Sequence, residues 1–381
     1  MQLCNLTGLR AFNFSEVKMA DIEKARKEIN EIDKQMAMLF EKRMQAVREV
    51  AEYKLERGLE IFDQKREQEV ILRNSEFITK SAVRSYYVNW LKNTMSLSKD
   101  YQRSLISGHR VGYSGVPGAF ANIAAKKIFP ECEAVAYPDF RTAYKACEQG
   151  DCDCVILPIE NSFNGDVGQV MDLAFFGSLY INGVYEEEIV QNLLAVKGTT
   201  IDEIKTVISH PQALGQCREY IESHGFETRE AVNTAVAAKE VADSGRHDIA
   251  AIGSDEAAKN YGLKKLAVHI NESGTNSTRF AVFSRVQKDD TRNDNRFIML
   301  FTVKNHPGSL GRAVSAIGEH GFNLRALKSR PTKDSSWCYY FYAEGEGCIN
   351  SYEGRRMLTC LEQSCLSVKV VGSYPEEKVI K

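Results

Sequence analysis

Four apolar residues, Ile22, Ile29, Met36 and Val50, stand at multiples of seven near the start of the chain, and Arg43 fills the place left for a fifth. Ala25, Ile32, Leu39 and Ala46 repeat the register three residues later. This spacing predicts a helix of about 35 residues with a narrow apolar seam. Such a seam cannot bury itself, so the helix must pack against others and is expected to pack against a second copy of the chain. From Asp21 to Arg103 there is no proline and an abundance of Glu, Lys, Arg, Met and Leu, the composition of long helices. An all-α domain is therefore predicted over residues 20–104.

A guanidinium in the seam at Arg43 costs several kcal/mol unless an anion accompanies it. Lys54 lies eleven residues on, about three turns, and projects from nearly the same face. Arg26 precedes Arg43 by seventeen residues, about 25 Å of helix, and is turned by roughly 100°. One small ligand touching both would most simply receive Arg26 from a partner copy. A second reading stays open on residue chemistry alone, in which these cations snorkel or pair with neighbouring Glu.

The texture changes over residues 108–286. Val111–Tyr113, Val155–Leu157, Val207–Ile208, Ile249–Ile252 and Phe280–Phe283 read as strands separated by Ala-rich amphipathic segments, which predicts an α/β domain with a largely parallel sheet. Four polar loops are placed where such sheets hold ligands. The first, Gly112 to Asn122, is glycine-rich but lacks the spacing of a nucleotide loop. In the second, Glu160, Asn161 and Ser162 follow a strand. In the third, Ser209 is placed to cap a helix that carries Gln216, and the fourth runs from Asn276 through Thr278 and Arg279 to Phe280. After a charged, apolar-free linker at Gln287–Asn295, residues 296–376 read as strand, helix, strand, strand, helix, strand, the order of an α+β ferredoxin-like unit. Its third strand is expected over Trp337–Tyr342.

Composition excludes several classes. Forty-nine Lys and Arg against 51 Asp and Glu, a formal charge of −2, argue against a wholesale nucleic-acid binder. No run of 18 apolar residues exists to span a membrane, and Met1–Lys18 does not read as a signal peptide. Ten Cys and seven His are scattered without ligand spacing, so no metal is expected and reduced thiols in the cytoplasm are.

The helical segment resembles the all-helical chorismate mutase family, carried by Arg26, Arg43 and Lys54, by FDQKRE with Asp63, Arg66 and Glu67, and by SLSKDYQ with Ser98 and Gln102. The resemblance implies that Arg26 (from the partner copy), Arg43 and Arg66 hold the two carboxylates of chorismate, with Ser98 also at the site. Lys54 and Gln102 would contact the ether oxygen, and Glu67 and Asp63 the surroundings of the substrate hydroxyl. PIEN at Pro158–Asn161 and the tripeptide Thr278-Arg279-Phe280 resemble prephenate dehydratase, whose fold is two α/β lobes similar to type II periplasmic binding proteins. That implies Thr278 as the principal catalytic residue, with Glu160, Asn161, Ser162, Ser209, Gln216, Arg279 and Phe280 around prephenate. Arg279 is the expected cation for the retained carboxylate, and Glu160 a possible acid if burial raises its pKa.

The C-terminal unit resembles the ACT regulatory domain, which pairs edge to edge and binds an amino acid at the junction. Its two signature loops read Gly308-Ser309-Leu310-Gly311, with Asn323 and Leu324 on the following strand, and Lys328-Ser329-Arg330-Pro331. Gly311 and Lys328 depart from the usual branched apolar residue and acid. The order of the three is that of bifunctional chorismate mutase–prephenate dehydratases. It implies phenylalanine biosynthesis, phenylalanine as effector, no cofactor and a homodimer or homotetramer. Two rivals, a dehydratase with a helical dimerisation element and a non-catalytic sensor, leave the mutase cations or Thr278 without a purpose.

Overall fold

The computed structural model describes residues 19–57, 59–106, 109–163, 165–272, 276–288, 290–332 and 338–380. Trp337 and the N-terminal segment before Met19 lie outside them. The chain divides into two compact units, Met1–Ile106 and Ser107–Lys381.

The described residues of the first unit form three helices, α1 (Met19–Arg57), α2 (Gln64–Ser75) and α3 (Ser81–Ile106). α1 alone is about 58 Å long at 1.5 Å per residue. α2 starts where Asp63 caps it, its carboxylate accepting from Arg66 N at 2.9 Å. Among the described residues the unit's buried apolar side chains are Ala51 on α1 and Leu91 and Met95 on α3. The predicted seam is left outside this core, with Ile22, Ile29, Met36 and Val50 exposed by 42–55%.

The described residues of the second unit form three sheets. Its helices are α4 (Phe120–Ile128), α5 (Phe140–Gln149), α6 (Gly168–Phe176), α7 (Pro211–Gln216), α8 (Arg218–His224), α9 (Thr234–Ser244), α10 (Asp255–Asn260), α11 (Ser309–Glu319) and α12 (Tyr352–Ser364). The first sheet contains β1 (Arg110–Ser114), β2 (Glu133–Tyr137), β3 (Cys154–Asn161), β4 (Gly165–Asp166) and β5 (Tyr180–Glu188). The chain then crosses to a second sheet of β6 (Asn192–Ala195), β7 (Thr206–Ser209), β8 (Glu227–Glu230), β9 (Ile249–Gly253) and β10 (Lys264–Ala267). It returns to the first as β11 (Ser277–Ser284), inserted between β3 and β5.

The five predicted strands all form, but the expectation of largely parallel pairing needs correction. β1 pairs in parallel with β2 and β3, and β7 with β8 and β9, whereas β11 is antiparallel to both neighbours and β6 to β9 and β10. A strand that re-enters a sheet directly from another sheet has no helical crossover to turn it round.

The remaining strands, β12 (Arg296–Thr302), β13 (Asn323–Pro331), β14 (Tyr339–Glu346) and β15 (Ser367–Tyr374), form an antiparallel sheet in the order β13-β14-β12-β15. With α11 and α12 this is the expected strand and helix order. Phe297, Met299 and Phe301 face a core with the helices. Ile298, Leu300, Tyr340 and Tyr342 face the other way and share a core with Leu157, Ile181 and Phe283 of the first sheet. Backbones meet at Gly372, where an added Cβ would fall 2.0 Å from the Ile181 carbonyl oxygen. A last strand, β16 (Lys378–Ile380), leaves this sheet and joins the first one parallel to β5.

Candidate functional site

In the helical unit the Arg43 guanidinium donates to Ser98 Oγ, joining α1 to α3. Burial lowers the Arg43 pKa, as expected for a cation held in an apolar seam. Gln102 lies one turn beyond Ser98, 7% exposed, and its Oε1 is buried without a partner among the described residues. Lys54 Nζ donates to the Ile61 carbonyl at 2.6 Å, and Glu67 pairs with Lys99 at 2.7 Å. Arg43, Ser98 and Gln102 thus gather on one side of the α1–α3 contact. Two of the remaining expected cations are at the surface. Arg26, 66% exposed, pairs with Glu23, and Arg66 pairs with Glu69 at the surface. Asp63 uses one carboxylate oxygen to cap α2.

In the second unit a cavity of about 430 Å³ opens between the first two sheets. Strand alternation decides which residues reach it. Asn161 and Thr278 are opposite one another on β3 and β11, and both line the cavity together with Phe280. Asn161 Nδ2 donates to Thr278 Oγ1 at 3.0 Å. The same amide reaches the Ser277 carbonyl at 3.0 Å and Asn276 Oδ1 at 3.1 Å, while its Oδ1 accepts from Phe163 N. Asn276 Nδ2 donates to Gln216 Oε1 at 3.0 Å, which also accepts from Gln191 Nε2 at 3.3 Å. The result is a buried chain of neutral carboxamides ending on a threonine hydroxyl. Phe120, Phe140, Val167 and Ile189 supply apolar wall, and His210 is pushed by burial toward its neutral form.

Four expected cavity residues are not there. Arg279 and Glu160 are also opposite one another, one step out of phase with Thr278 and Asn161, and so face away. Arg279 pairs instead with Glu160 at 2.8 Å, with Glu344 at 2.5 Å and with Glu377. Burial works against the charged Arg279, but Glu344 and Glu160 raise its pKa. Burial alone would raise the Glu160 pKa, yet bonds from Arg279 and Lys328 hold it below the usual carboxylate range, the opposite of what an acid needs. Ser209 does not cap α7. Its hydroxyl donates to the Ile252 carbonyl at 2.7 Å, and His210 caps through Nδ1. Ser162 is exposed, and its hydroxyl accepts from Ser277 N. Sequence reasoning missed Gln191 altogether and gave Asn276 no role. Both lie where the chain crosses between the sheets, a position that adjacency of strands could have flagged.

Of the C-terminal loops, Gly308 adopts φ 78°, a left-handed conformation that favours glycine, and opens α11. Ser309 is buried, Leu310 and Leu324 half-buried, and Asn323, Ser329 and Pro331 exposed along the edge strand β13. Arg330 is occupied by Asp172 of α6 in a two-pronged pair at 2.8 and 3.0 Å, and Lys328 by Glu160 and Asp166. Among the described residues no group of three His, Cys, Asp or Glu could hold a metal ion, and no helix is long and apolar enough to cross a membrane.

Comparison with known proteins matches residues 25–103 to the chorismate mutase type II model and residues 111–288 to the prephenate dehydratase model. Arogenate dehydratase/prephenate dehydratase 2 of Arabidopsis thaliana is 36% identical over 279 residues, covering 70% of this chain and 72% of that protein. The bifunctional chorismate mutase/prephenate dehydratase of Aquifex aeolicus is 29% identical over 365 residues, covering 94% and 99%. A solved prephenate dehydratase from Arthrobacter aurescens in complex with L-Phe superposes with a TM-score of 0.65 over 70% of this chain and 90% of that one, at 24% identity. The chain therefore belongs to the prephenate dehydratase family, with a chorismate mutase domain ahead of the dehydratase in the arrangement of the bifunctional enzymes.

Proposed function

We propose that the helical unit rearranges chorismate to prephenate and that the cavity of the second unit converts prephenate to phenylpyruvate, water and CO₂, for phenylalanine synthesis. The first step is intramolecular and needs no nucleophile. It needs a compact conformer and donors for the charge growing on the ether oxygen. Arg43, Lys54 and Gln102 have that chemistry. Arg26 completes the site from a second copy, and the exposed apolar seam on α1 is the surface that would receive it. A homodimer or homotetramer follows from this reading.

The second step rests on one observation, the 3.0 Å contact from Asn161 Nδ2 to Thr278 Oγ1. With that donor on one lone pair, the Thr278 hydrogen is left to point into the cavity. It donates to the ring hydroxyl of prephenate as the C–O bond lengthens. Threonine is a weak acid at neutral pH, so the assistance is a strengthening hydrogen bond in a dry site rather than full proton transfer. The lost carboxylate departs against apolar wall, which favours neutral CO₂. Since Arg279 faces away, the retained carboxylate is left to neutral donors, and the backbone amides opening α9 beside Asn233 and Thr234 suit it. Phenylalanine as effector is supported by the L-Phe complex of the Arthrobacter protein. Here Gly308, Leu310 and Asn323 would meet it at a β13 edge paired with a second copy.

A spectroscopic assay of the purified chain tests both steps. Chorismate should be consumed, and added prephenate should give phenylpyruvate. Thr278→Ala should abolish phenylpyruvate formation and spare the mutase, Lys54→Ala should do the reverse, and calorimetry should detect phenylalanine. Consumption of chorismate with no phenylpyruvate would overturn the dehydratase assignment.

A further inference from the structure

The carboxamide chain has a direction, and its direction has a chemical consequence at the cavity. Asn161 is oriented by backbone groups, since its oxygen takes the Phe163 N–H and its nitrogen gives to the Ser277 carbonyl. Asn276 is oriented likewise, because its nitrogen gives to the Ile189 carbonyl and its oxygen receives from Asn161. Gln216 must then present its oxygen to Asn276 Nδ2, and Gln191 must present its nitrogen to that same oxygen. Reversing the Gln191 amide would set oxygen against oxygen. What remains is Gln191 Oε1, an acceptor with no partner among the described residues. The residue is 2% exposed and lines the cavity. Its main chain is clamped on both sides, N–H to Asn271 Oδ1 at 3.1 Å and carbonyl from Ile270 N at 2.9 Å, so the side chain has little freedom to turn away. An unpaired buried acceptor costs free energy unless a ligand satisfies it.

We infer that Gln191 is a substrate-orienting residue whose Oε1 accepts a hydrogen bond from the ring hydroxyl of prephenate. This rests on the dehydratase reading above. Ionised prephenate carries acceptors at both carboxylates and at its ketone, and its hydroxyl is its only donor. An acceptor in the site can read that group and no other. The hydroxyl hydrogen then points to Gln191, which turns an oxygen lone pair toward the Thr278 hydrogen. Gln191 acts before bond breaking, and the product has lost the group it reads.

The test is Gln191→Met, which keeps length and removes the acceptor together with the Nε2 donor to Gln216. Losing one partner of a buried hydrogen bond should lower kcat/KM for prephenate roughly 5- to 100-fold, carried mostly by KM. Inhibition by phenylpyruvate, which has no hydroxyl, should be unchanged, and thermal unfolding should stay cooperative with only a small shift, because Gln216 Oε1 loses the 3.3 Å bond from Gln191 Nε2 but keeps Asn276 Nδ2. Arogenate bears the same ring hydroxyl and adds an ammonium. If the wild type accepts it, the variant should lose as much on arogenate as on prephenate. An unchanged kcat/KM for prephenate, or a loss confined to arogenate, overturns the assignment. Equal weakening of prephenate and phenylpyruvate would show a structural role and overturn it too. A wild type that does not turn over prephenate would instead sink the dehydratase reading itself.

Discussion

Thr278 and Arg279 are neighbours on one strand, yet one looks into a cavity walled by neutral amides and the other into a cluster of carboxylates. On the cavity side the bonded chain consists of carboxamides, a hydroxyl and backbone groups, with the His210 imidazole, pushed toward its neutral form, on the wall. On the far side Arg279, Arg325 and Lys328 meet Glu160, Asp166, Glu344 and Glu377, drawn from the first sheet, the C-terminal sheet and the approach to β16. The difference separates two tasks. Neutral amides fix direction without imposing a field on a reaction that expels one anionic group and keeps another. Buried charges bind sheets together, because each loses its partner if the sheets part. Strand alternation lets one tripeptide serve both.

The largest effect expected from breaking this comparison is on stability. Arg279→Met leaves Glu344, 1% exposed, with its main cation gone. Removing one member of a buried pair costs about 3–5 kcal/mol, to be read from urea unfolding of the full chain. Phenylpyruvate formation, measured well below the unfolding transition, should change little. Lost activity at full stability would show that the two faces are not separable. The mirror experiment is Asn161→Leu, which frees Thr278 from its donor. It should lower kcat by roughly 5- to 100-fold, the equivalent of about 1–3 kcal/mol for an unmade buried bond, with a smaller change in unfolding.

Much of this was legible before the structure. Asn161 and Thr278 fall at strand ends and Gln216 on the helix that follows one, where α/β sheets hold ligands, and all three line the cavity. The face of Arg279 was legible too, since consecutive strand residues cannot both point inward, but the attraction of a cation for a carboxylate substrate outweighed the geometry. The position of Gln191 between two strands could flag it, but not its role. A single glutamine after a strand carries no motif, and its meaning comes from Gln216, its direct partner, and through it from Asn276 and Asn161, all distant in the chain. β16 was hidden for another reason. Its three residues, Lys378–Ile380, are too few to show alternation, and what makes them a strand is pairing with β5.

The faces should also part company in acid. Burial alone would raise Glu377, but bonds and charge from Arg325 and Arg279 hold its pKa below the usual range, as Arg279 and Lys328 do for Glu160. A carboxylate lowered in the folded state contributes stability that is fully present above its unfolded value, about 4.3 for Glu. That stability is lost as pH falls through the lowered values. The urea midpoint should therefore drop across that window in the wild type and drop less in Arg279→Met. The amide chain has no such titration, so Asn161→Leu should follow the wild-type slope.

The smallest effect is the most informative about how the charges share their work. Lys328 is 22% exposed, and its partner Asp166 is 34% exposed and can turn to water. Glu160 keeps Arg279 at 2.8 Å when Lys328 is gone. Lys328→Met alone should cost about 1 kcal/mol or less, as partly exposed pairs do. Combined with Arg279→Met, it leaves Glu160 without either cation, so the double variant should lose more than the sum of the two single losses. Strict additivity in that cycle would mean that Glu160 is held by water rather than by the cluster. The ionic face would then be two separate pairs, and its contrast with the connected amide chain on the other side of β11 would be sharper still.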